Sequence, residues 1–595
     1  MSEHNTNRFS GSRHMISALF FRLLPIQVLL AAIGSVDEIV SGLFAANYIG
    51  SDAIAAIGLS MPAGQFQSAV TAMLVGGSQI LSGKYMGKNQ MSRTQDIFSA
   101  DLLITTVISL VLTAMLVAAS VFDLTSVLTS DAVTRALLNR YLLGMAVGVL
   151  PFMIGQQLSA FLSLENHTRL ATAATSVYVA ANLAFSYLFV VLMKMDIFGL
   201  SLATSCGLWL YCLIQASYFT GGKSLLKLRL ARFRKKDAAQ ILGVGAPGAL
   251  SRGYQVIRKL AVNGLILTYV GSIGLAAHTS PDMILGIFWA LPQGINVVFR
   301  MLMSVSVGEE DRQSLTDVMR TVLYRAVPLV CGVSIVLMAL ASPLTMLHYS
   351  DTTSEIYRLT VWGYRLLPVC MPLSVIYMVF SCYAQATGRH VLINIMSLID
   401  GLLGVVVFSY LLVPSLGLNG VFIANICCGI VLVSGFVIYS AVKNRKLPKT
   451  IDELAVIPED FGVSQQDRLD MAVETAEDVT SVSVRVQQFC LEKGIDARRS
   501  YYAALCLEEM AGNVVEHGFA SDDKKHSADV RVACKDGELI LRIKDDCIPF
   551  DPGERQSIVD PDDAAKNIGI RMTYAVAREI SYQNILGMNV LTIRI

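Results

Sequence analysis

Residues 36–89 decide the fold, and they read VDEIVSGLFAANYIGSDAIAAIGLSMPAGQFQSAVTAMLVGGSQILSGKYMGKN. The stretch holds the end of one apolar run and a second complete run, with the polar break YIGS at 48–51 between them. A run of about 20 apolar residues is long enough to cross a bilayer as a helix. The stretch therefore predicts a pair of membrane-spanning helices joined by a short turn.

The same break recurs in the second half of the chain, which indicates an internal duplication. YIGS at 48–51 reappears as YVGS at 269–272, an offset of 221 residues. Two further pairs repeat at nearly the same offset, namely Pro25 with Pro247, and FSYL at 185–188 with FSYL at 408–411. Three agreements at nearly one offset are strong evidence for two homologous halves.

Apolar runs between polar breaks predict twelve spanning helices. Their expected ranges are 16–46, 54–82, 96–121, 136–163, 168–193, 197–220, 240–268, 275–305, 318–345, 357–386, 391–413 and 418–442. Six helices per half is an even number, so both halves insert with the same orientation and are related by an axis along the membrane normal. We expect an all-α polytopic membrane protein with two parallel six-helix lobes.

The composition places most of the chain in a membrane and its last part outside it. Of the 595 residues, 54% are hydrophobic and 16% are charged, and the mean hydropathy is +0.55. These values exclude a disordered chain, a disulfide scaffold and an ordinary soluble enzyme. Residues 1–449 hold 31 basic and 19 acidic residues, whereas residues 450–595 hold 16 and 27. The sign of the net charge therefore reverses near residue 450, and this change marks the junction of a membrane protein with a soluble domain.

Basic residues in the predicted loops indicate the orientation of the chain. Lys and Arg cluster after helix 2, between helices 6 and 7, and after helix 12, whereas the loops near 47–53, 269–274 and 414–417 have none. We therefore expect a multi-pass plasma-membrane protein with both termini in the cytosol, and we expect no cleaved signal peptide. The eleven cysteines form no CxxC pair and no metal-ligand spacing with histidine, which predicts small buried residues.

These observations divide the chain into six expected segments. They are a cytosolic N-terminus at 1–14, a first lobe at 15–221, a basic inter-lobe linker at 222–238, a second lobe at 239–445, a further linker at 446–464 and a cytosolic domain at 465–595.

The membrane part resembles a known transporter family. Residues 36–89 are similar to the first two helices of the multidrug and toxic compound extrusion (MATE) family, and so are ENHTRLATAATSVYVAANLAFSYLFVV and FGLSLAT within 165–204. The resemblance extends over roughly 15–445 in both halves. It implies two six-helix bundles, alternating access, and export of small organic molecules by antiport coupled to H⁺ or Na⁺.

Asp37 is the most informative charge inside the membrane, because an ionisable group there is costly and usually functional. It lies in the middle of helix 1, where a carboxylate can alternate between protonated and ionised forms. The structural alternative is a carboxylate paired to a neighbouring helix. Glu38 points about 100° away, so only one of the two faces the cleft squarely.

The resemblance assigns further residues to the same lobe. It favours Asp37 as the coupling acid, with Asn182 and Thr204 as polar positions near it and Pro25 as the proline that bends helix 1 in some members. The helix-5 acid of the family falls here on Ser186, so a relay of two carboxylates is not expected.

The second lobe departs from the sodium-coupled members of the family. Their helix-7 acid falls at or near Gln255, so a sodium site in this lobe is not expected. Helix 7 instead carries Arg258 and Lys259, and helix 11 carries Asp400. One interpretation is a structural ion pair between Asp400 and one of these bases. The other is a basic group in the substrate cleft, which would favour anionic or zwitterionic cargo.

The tail from about 465 has the pattern of an α-plus-β domain. Helices are predicted over 471–494, 497–519 and 568–580, and strands over 528–535, 537–545, 580–584 and 589–595. Asp536 and Gly537 separate two alternating runs, a strong hairpin signal.

Three motifs in the tail carry candidate chemistry. Glu509, Asn513 and His517 are spaced i, i+4, i+8 and share one helix face, where an acid and an amide can hold Mg²⁺ and polarise a hydroxyl. The alternative is a solvated face. Asp545 ends a strand and can accept from an adenine amino group. Gly569 opens a helix whose N-terminus can cradle phosphate.

In this order the motifs resemble the histidine-kinase/gyrase-type ATPase fold, and most of all the anti-sigma-factor serine kinases. The resemblance implies an α/β sandwich over roughly 465–595 that binds ATP and Mg²⁺. It makes Asn513 the metal ligand, Glu509 the base and Asp545 the adenine contact, with His517 and Gly569 in the nucleotide site and 553–566 as a lid. Cys547 and Asn567 stand where the family has glycine.

The leading prediction is a secondary antiporter that exports small organic molecules and carries an ATP-binding domain that regulates it or signals to a cytosolic protein. The sequence lacks a GxxxxGK[ST] loop, so ATP is not expected to drive transport.

Two alternatives remain open. One is a receptor whose bundle senses a ligand and whose tail is a serine/threonine kinase or a partner trap. The other is a lipid-precursor flippase of the same superfamily. A nucleic-acid partner is not expected.

Overall fold

The computed structural model describes residues 10–129, 131–222, 224–228, 234–459, 461–464, 466–519, 526–535, 537–556 and 567–595. The described chain up to Asn444 is almost entirely helical. Its helices are α1 Ser10–Phe44, α2 Ser51–Gly87, α3 Met91–Val121, α4 Ala132–Leu164, α5 Thr168–Ser186, α6 Asp196–Thr220, α7 Lys235–Tyr269, α8 Ser272–Phe288, α9 Ala290–Gly308, α10 Arg312–Thr321, α11 Val327–Ala339, α12 Ala341–Met346, α13 Glu355–Leu366, α14 Cys370–Ala386, α15 His390–Leu398, α16 Gly404–Leu416 and α17 Leu418–Asn444.

The twelve predicted spans are all present as long helical stretches. In the described part, ten of these stretches are long and apolar enough to cross a membrane. The other two, α2 and α7, have 37 and 35 residues. Five basic residues lower the hydropathy of α7, namely Lys235, Lys236, Arg252, Arg258 and Lys259. The predicted eighth span is divided at Trp289 into α8 and α9.

The duplication is visible in the backbone. Gly50 between α1 and α2 has φ of 124°, and Gly271 between α7 and α8 has φ of 84°. Both values lie in a region that glycine enters at no steric cost because it has no Cβ. The two YxGS breaks are therefore the same turn in the two halves.

Helices of each lobe pack chiefly on one another, and α1 and α2 join the lobes. In the first lobe, α4 packs on α2, α3 and α6, and α1 packs on α5. In the second lobe, α17 packs on α13, α14 and α16. Across the lobes, α2 packs on α7 and α9, and α1 packs on α9 and α10. The boundary between the lobes is therefore a helix interface of substantial length.

The tail folds into an α/β sandwich after a short helix, α18 (Ile451–Ala455). Its further elements are β1 Arg468–Val473, α19 Ala476–Glu492, α20 Ala497–Asn513, β2 Ala528–Lys535, β3 Glu538–Asp545, α21 Pro552–Gln556, α22 Ile568–Val576, β4 Glu579–Ile585 and β5 Met588–Arg594. The sheet has the order β1-β2-β3-β5-β4, and every neighbouring pair is antiparallel.

The predicted helix over 471–494 is wrong at its start. Residues 468–473 form β1, which pairs with β2, and the helix begins only after Thr475. Thr475 and Asp478 make a capping box there, which satisfies backbone donors at the helix start. Pairing with a distant strand, rather than local pattern, decides the structure of this segment.

Two other helices of the tail end earlier than predicted. The α20 helix ends at Asn513 and continues as a π-helical turn over Val514–Gly518. The α22 helix ends at Val576, because Ala577 adopts an extended conformation and leads into β4.

The sheet has an apolar face and a charged face, because alternate residues of a strand point to opposite sides. Val530, Val532 and Leu541 are buried with residues of α19 and α20 in one core. The opposite side, which we call the charged face, carries Arg531, Arg542 and Lys544. It points toward the membrane part, where these residues make ion pairs.

Candidate functional site

Polar side chains meet inside the first lobe, where the sequence predicts the coupling site. Asn182 of α5 accepts hydrogen bonds from Thr204 of α6 (3.2 Å) and from Ser186 (3.4 Å). Asn182 is 3% exposed and Ser186 is 1% exposed. Burying a polar group in an apolar interior costs free energy unless the group is hydrogen-bonded. The hydrogen bonds among these three side chains reduce that cost.

The helix that carries Asp37 packs on the helix that carries Asn182 and Ser186. Asp37 and Pro25 both belong to α1, which packs on α5. The side chain of Asp37 lies outside the described residues. Gln27 of α1 donates to Ser163 of α4 at 3.2 Å and so ties α1 to the lobe.

A second carboxylate in the first lobe was missed by sequence reasoning. Asp101 of α3 is fully buried. It lies beside Ser78 of α2, whose hydroxyl also donates to Gln157 of α4 at 3.4 Å. An acid in an otherwise apolar predicted helix was the signal that could have found it.

In the second lobe, Arg258 reaches Asp400 through the main chain. Its Nη1 atom donates to the backbone carbonyl of Asp400 at 3.1 Å, so this hydrogen bond does not involve the Asp400 carboxylate. Gln255 is half-buried on the same helix, and Lys259 is exposed. The structure therefore brings Arg258 and Asp400 together but leaves Lys259 at the surface of the bundle.

Sequence reasoning also missed a pair of ionisable residues on α8. His278 and Asp282 are one helical turn apart. The ring of His278 stacks on Phe422, with centroids 6.0 Å apart and an interplanar angle of 6°. The i, i+4 spacing of a histidine and an aspartate in an apolar run was the available signal.

The three motifs of the tail converge. Gly569, at the start of α22, lies directly against Glu509 of α20, because a Cβ at this glycine would be 1.8 Å from Glu509 Oε2. In the π-helical turn that follows α20, a Cβ on Gly518 would lie 3.0 Å from Cys547 Sγ. The helix that carries Glu509 and Asn513, with the π-helical turn that follows it, thus touches both the helix N-terminus at Gly569 and the segment just after Asp545.

Asp545 ends β3 in a network of hydrogen bonds. Its Oδ1 atom accepts from Asn589 (2.7 Å) and from the backbone N–H of Cys547 (3.0 Å). Tyr582 in turn donates to Asn589 at 2.7 Å. Burial raises the pKa of Asp545, and the hydrogen bonds from Asn589 and Cys547 partly oppose this effect.

The other predicted residues of the nucleotide site are more open. Asn513 is half-buried at the end of α20, and His517 is exposed in the π-helical turn. Of the predicted lid, 557–566 lies outside the described residues. Asn567 has φ of 61°. Asparagine tolerates this left-handed conformation better than most residues, which explains how it can replace a glycine here.

A cysteine and a histidine do approach each other in the tail, which their spacing did not predict. The ligand atoms of His526, Asp546 and Cys547 lie within 4.8 Å of one another. His526 Nδ1 is 2.8 Å from Asp546 Oδ1. This His–Asp pair accounts for the arrangement without a metal ion.

The fold and its polar interior define a polytopic transporter joined to an ATPase-type domain. The sequence profile of the MatE family matches residues 28–188 and again 247–411, and the chain belongs to this family. The profile described as a histidine kinase-like ATPase domain matches residues 472–595. Both resemblances found in the sequence are thereby confirmed, and the double match agrees with the duplication.

Solved structures share the fold of the membrane part. One is described as the outward-facing conformation of a multidrug resistance MATE family transporter of the MOP superfamily (TM-score 0.67, 20% identity, 72% of this chain and 96% of that chain). A MATE transporter from Vibrio cholerae has a TM-score of 0.68 at 14% identity, covering 73% and 98%. A search of curated proteins found no match.

A third structure, a MOP superfamily transporter from Pyrococcus furiosus, has a TM-score of 0.65 at 21% identity over 72% of this chain and 97% of that chain. It is described as having a binding pocket of reversed polarity that suggests a different function.

Proposed function

We propose that the protein is a secondary antiporter that exports small organic molecules across the plasma membrane, driven by a proton or sodium gradient. Membership of the MatE family supports transport. The predicted orientation, with both termini in the cytosol, would place the ATPase-type domain where ATP is.

One observation carries the coupling proposal. Asn182 accepts hydrogen bonds from the hydroxyls of Thr204 and Ser186 in the interior of the first lobe, and its helix packs on the helix that bears Asp37. A carboxylate beside such a neutral polar cluster can hold a proton in one state of the lobe and release it in another. Asp37 is therefore the proposed proton carrier, and the cluster is its polar surroundings.

The cargo site is proposed for the cleft between the lobes. Arg258 of α7 is fixed in the second lobe by its hydrogen bond to the Asp400 carbonyl, and it is the residue proposed to line this cleft. A guanidinium there would favour anionic or zwitterionic cargo. If the variants Arg258→Ala and Lys259→Ala leave uptake of anionic and cationic probes equally unchanged, this assignment is wrong.

The tail is proposed to bind ATP with Mg²⁺, and the residues present fit these groups. A glycine at 569 is required by the close approach of Glu509. Asn513 would hold the metal ion, Asp545 would accept from adenine, and the N-terminus of α22 would face phosphate. Glu509 is then placed to take a proton from a hydroxyl of a protein substrate. Bound Mg²⁺ would neutralise phosphate charge, and a cytosolic protein is the proposed partner.

The transport proposal is tested with the full chain in proteoliposomes, with ethidium as the cationic probe and fluorescein as the anionic probe. A pH gradient or a Na⁺ gradient is imposed separately. We expect Asp37→Asn to abolish gradient-driven uptake, Asp37→Glu to retain part of it, and Glu38→Gln on the same helix to retain most of it. Uptake by Asp37→Asn equal to that of the parent protein would exclude Asp37 as the coupling acid.

A receptor is the second candidate, because the charged face of the tail is joined to the membrane part by ion pairs such as Arg531 with Asp311 (2.6 Å). In a receptor, Asp37→Asn would leave signalling by the tail intact. A flippase would ignore ethidium and require a lipid-linked cargo.

A further inference from the structure

The lobes are closed at one end by a seam of glycines. A Cβ on Gly83 of α2 would lie 2.0 Å from Ser304 Oγ of α9, and a Cβ on Gly87 would lie 2.3 Å from the carbonyl oxygen of Val305. From the other side, a Cβ on Gly308 would lie 2.2 Å from the carbonyl oxygen of Lys84. Only glycine permits this backbone contact between α2 and α9. We call this end of the bundle the seam end.

The tail is docked on the seam end by charge. Lys544 forms an ion pair with Glu309, and Arg542 lies 3.5 Å from the same carboxylate. Arg531 pairs with Asp311 at 2.6 Å. Both acidic side chains, in the loop between α9 and α10, are 3% exposed. Burial alone would raise the pKa of Asp311, but Arg531 and Lys544 hold that pKa well below its usual range.

The linker fastens the tail to the second lobe. Arg312 of α10 pairs with Asp452 at 3.1 Å. Arg389 donates to the carbonyl of Ala455 at 2.9 Å, and Ser440 of α17 donates to the carbonyl of Glu453 at 2.6 Å. The linker that leads into the tail is therefore fixed to the second lobe.

The β4–β5 hairpin reaches the first lobe. Gln583 of β4 donates to Asn89, in the loop after α2. Gly587 at the tip lies against Asn166, in the loop after α4. Leu586 and Met588 line a cavity together with Met15 of α1 and Leu302 of α9. Leu586 is 1% exposed, so the tip is inserted among residues of both lobes.

The turn chemistry of the hairpin supports a docking role for Leu586. The two-residue loop Leu586-Gly587 has φ values of 55° and 82°. Such a turn favours Asn-Gly, because asparagine tolerates a positive φ and leucine does not. Leucine at position 586 raises the conformational free energy of this turn. Burial of its side chain in the bundle offsets that conformational free energy.

We infer that the β4–β5 hairpin is a latch that holds the lobes closed at the seam end, so that the tail must release the first lobe before that end can open. The inference rests on the proposed function, since transport by alternating access requires the lobes to separate at each end in turn. The latch adds a condition to transport that the antiporter mechanism alone does not contain.

The test measures opening directly in the full chain reconstituted in nanodiscs. Spin labels are attached at Ser92→Cys, at the start of α3, and at Val391→Cys, at the start of α15, and both positions are exposed. None of the eleven native cysteines is exposed, so the introduced sites react first. The distance between the labels is measured by double electron–electron resonance.

Leu586→Asn is the decisive variant, because it suits the turn and removes the buried side chain. We expect the population with the longer distance to increase at least about tenfold. Leu491→Asn makes the same chemical change on α19, where the side chain is 48% exposed, and should leave the distances unchanged. Circular dichroism checks that both variants keep the tail folded.

A second variant closes the latch. An oxidised Gln583→Cys/Asn89→Cys pair should abolish the longer distance, and reduction should restore it. Distances that are identical in the parent protein, Leu586→Asn and the oxidised pair would overturn the latch. Distances that respond as expected while no variant transports either the cationic or the anionic probe would leave the latch in place and overturn the proposed transport.

Discussion

At the scale of single residues, a glycine and a carboxylate meet at the centre of the tail. Gly569 starts α22 and lies against Glu509. The contact brings the proposed base to the helix N-terminus, where backbone N–H groups are available to a phosphate. A side chain at 569 would push these two groups apart.

We therefore expect Gly569→Ala to weaken ATP binding by the full chain at least about tenfold, because a methyl group would overlap the Glu509 carboxylate. Gly512→Ala is the matched control, since a Cβ there meets nothing within 4 Å. Because Gly512 lies in the helix interior, Gly512→Ala should leave the free energy of unfolding unchanged or raise it by about 1 kcal/mol. Titration with a fluorescent ATP analogue measures affinity, and thermal unfolding measures stability. Equal affinities of the two variants would contradict the proposed site.

At the scale of elements, α2 is one of the helices on which the lobes meet. It places Gly77 against α7 and Gly83 and Gly87 against α9. Membrane helices associate through small residues because close packing replaces the hydrophobic effect there. The face of α2 toward the second lobe is therefore shaped for closure.

Gly87→Ala should disfavour closure of the seam end. The added methyl group would meet backbone atoms of α9, which cannot rotate away, at a cost of about 1–3 kcal/mol. Gly58→Ala on the same helix meets nothing within 4 Å and is the control. The spin-label distances should lengthen in the first variant only. A lengthening of equal size in both would show that the effect is not local to the seam.

At the scale of the whole molecule, one strand links the nucleotide site to the membrane part. Lys544 points to Glu309, whereas the next residue, Asp545, points into the proposed adenine site. Asp545 is held by Asn589, which lies three residues after Leu586 at the hairpin tip. An adenine that competes for Asp545 would displace Asn589 and so disturb the hairpin.

We therefore expect Mg²⁺ and ATP to slow disulfide formation between Gln583→Cys and Asn89→Cys at least about fivefold, which is a typical coupling between sites. Asn513→Ala should remove this effect without changing the rate in the absence of nucleotide. Cross-linking is followed on gels over time, and nucleotide occupancy is measured in parallel. An unchanged rate at full occupancy would show that the nucleotide does not act on the hairpin.

Part of this architecture was predictable because it is local or periodic. The helices, the duplication and the hairpin around Gly537 follow from apolar runs and turn residues, and Asn182, Ser186 and Thr204 follow from a family resemblance. The β1 strand was missed because its pairing partner is about 60 residues away, and long-range pairing leaves little local signal. His278, Asp282 and Asp101 had a signal, an ionisable residue in an apolar run, that was not used.

The sequence by itself determined a duplicated membrane transporter joined to an ATPase-type domain, since hydropathy, charge balance and short motifs are carried by neighbouring residues. Only the tertiary structure decided that the charged face of the tail meets Glu309 and Asp311, that Leu586 is buried between the lobes, and that Gly569 lies against Glu509. These contacts join residues that are distant in the chain. Their energies come from burial and ion pairing, which exist only once the two parts have been brought together.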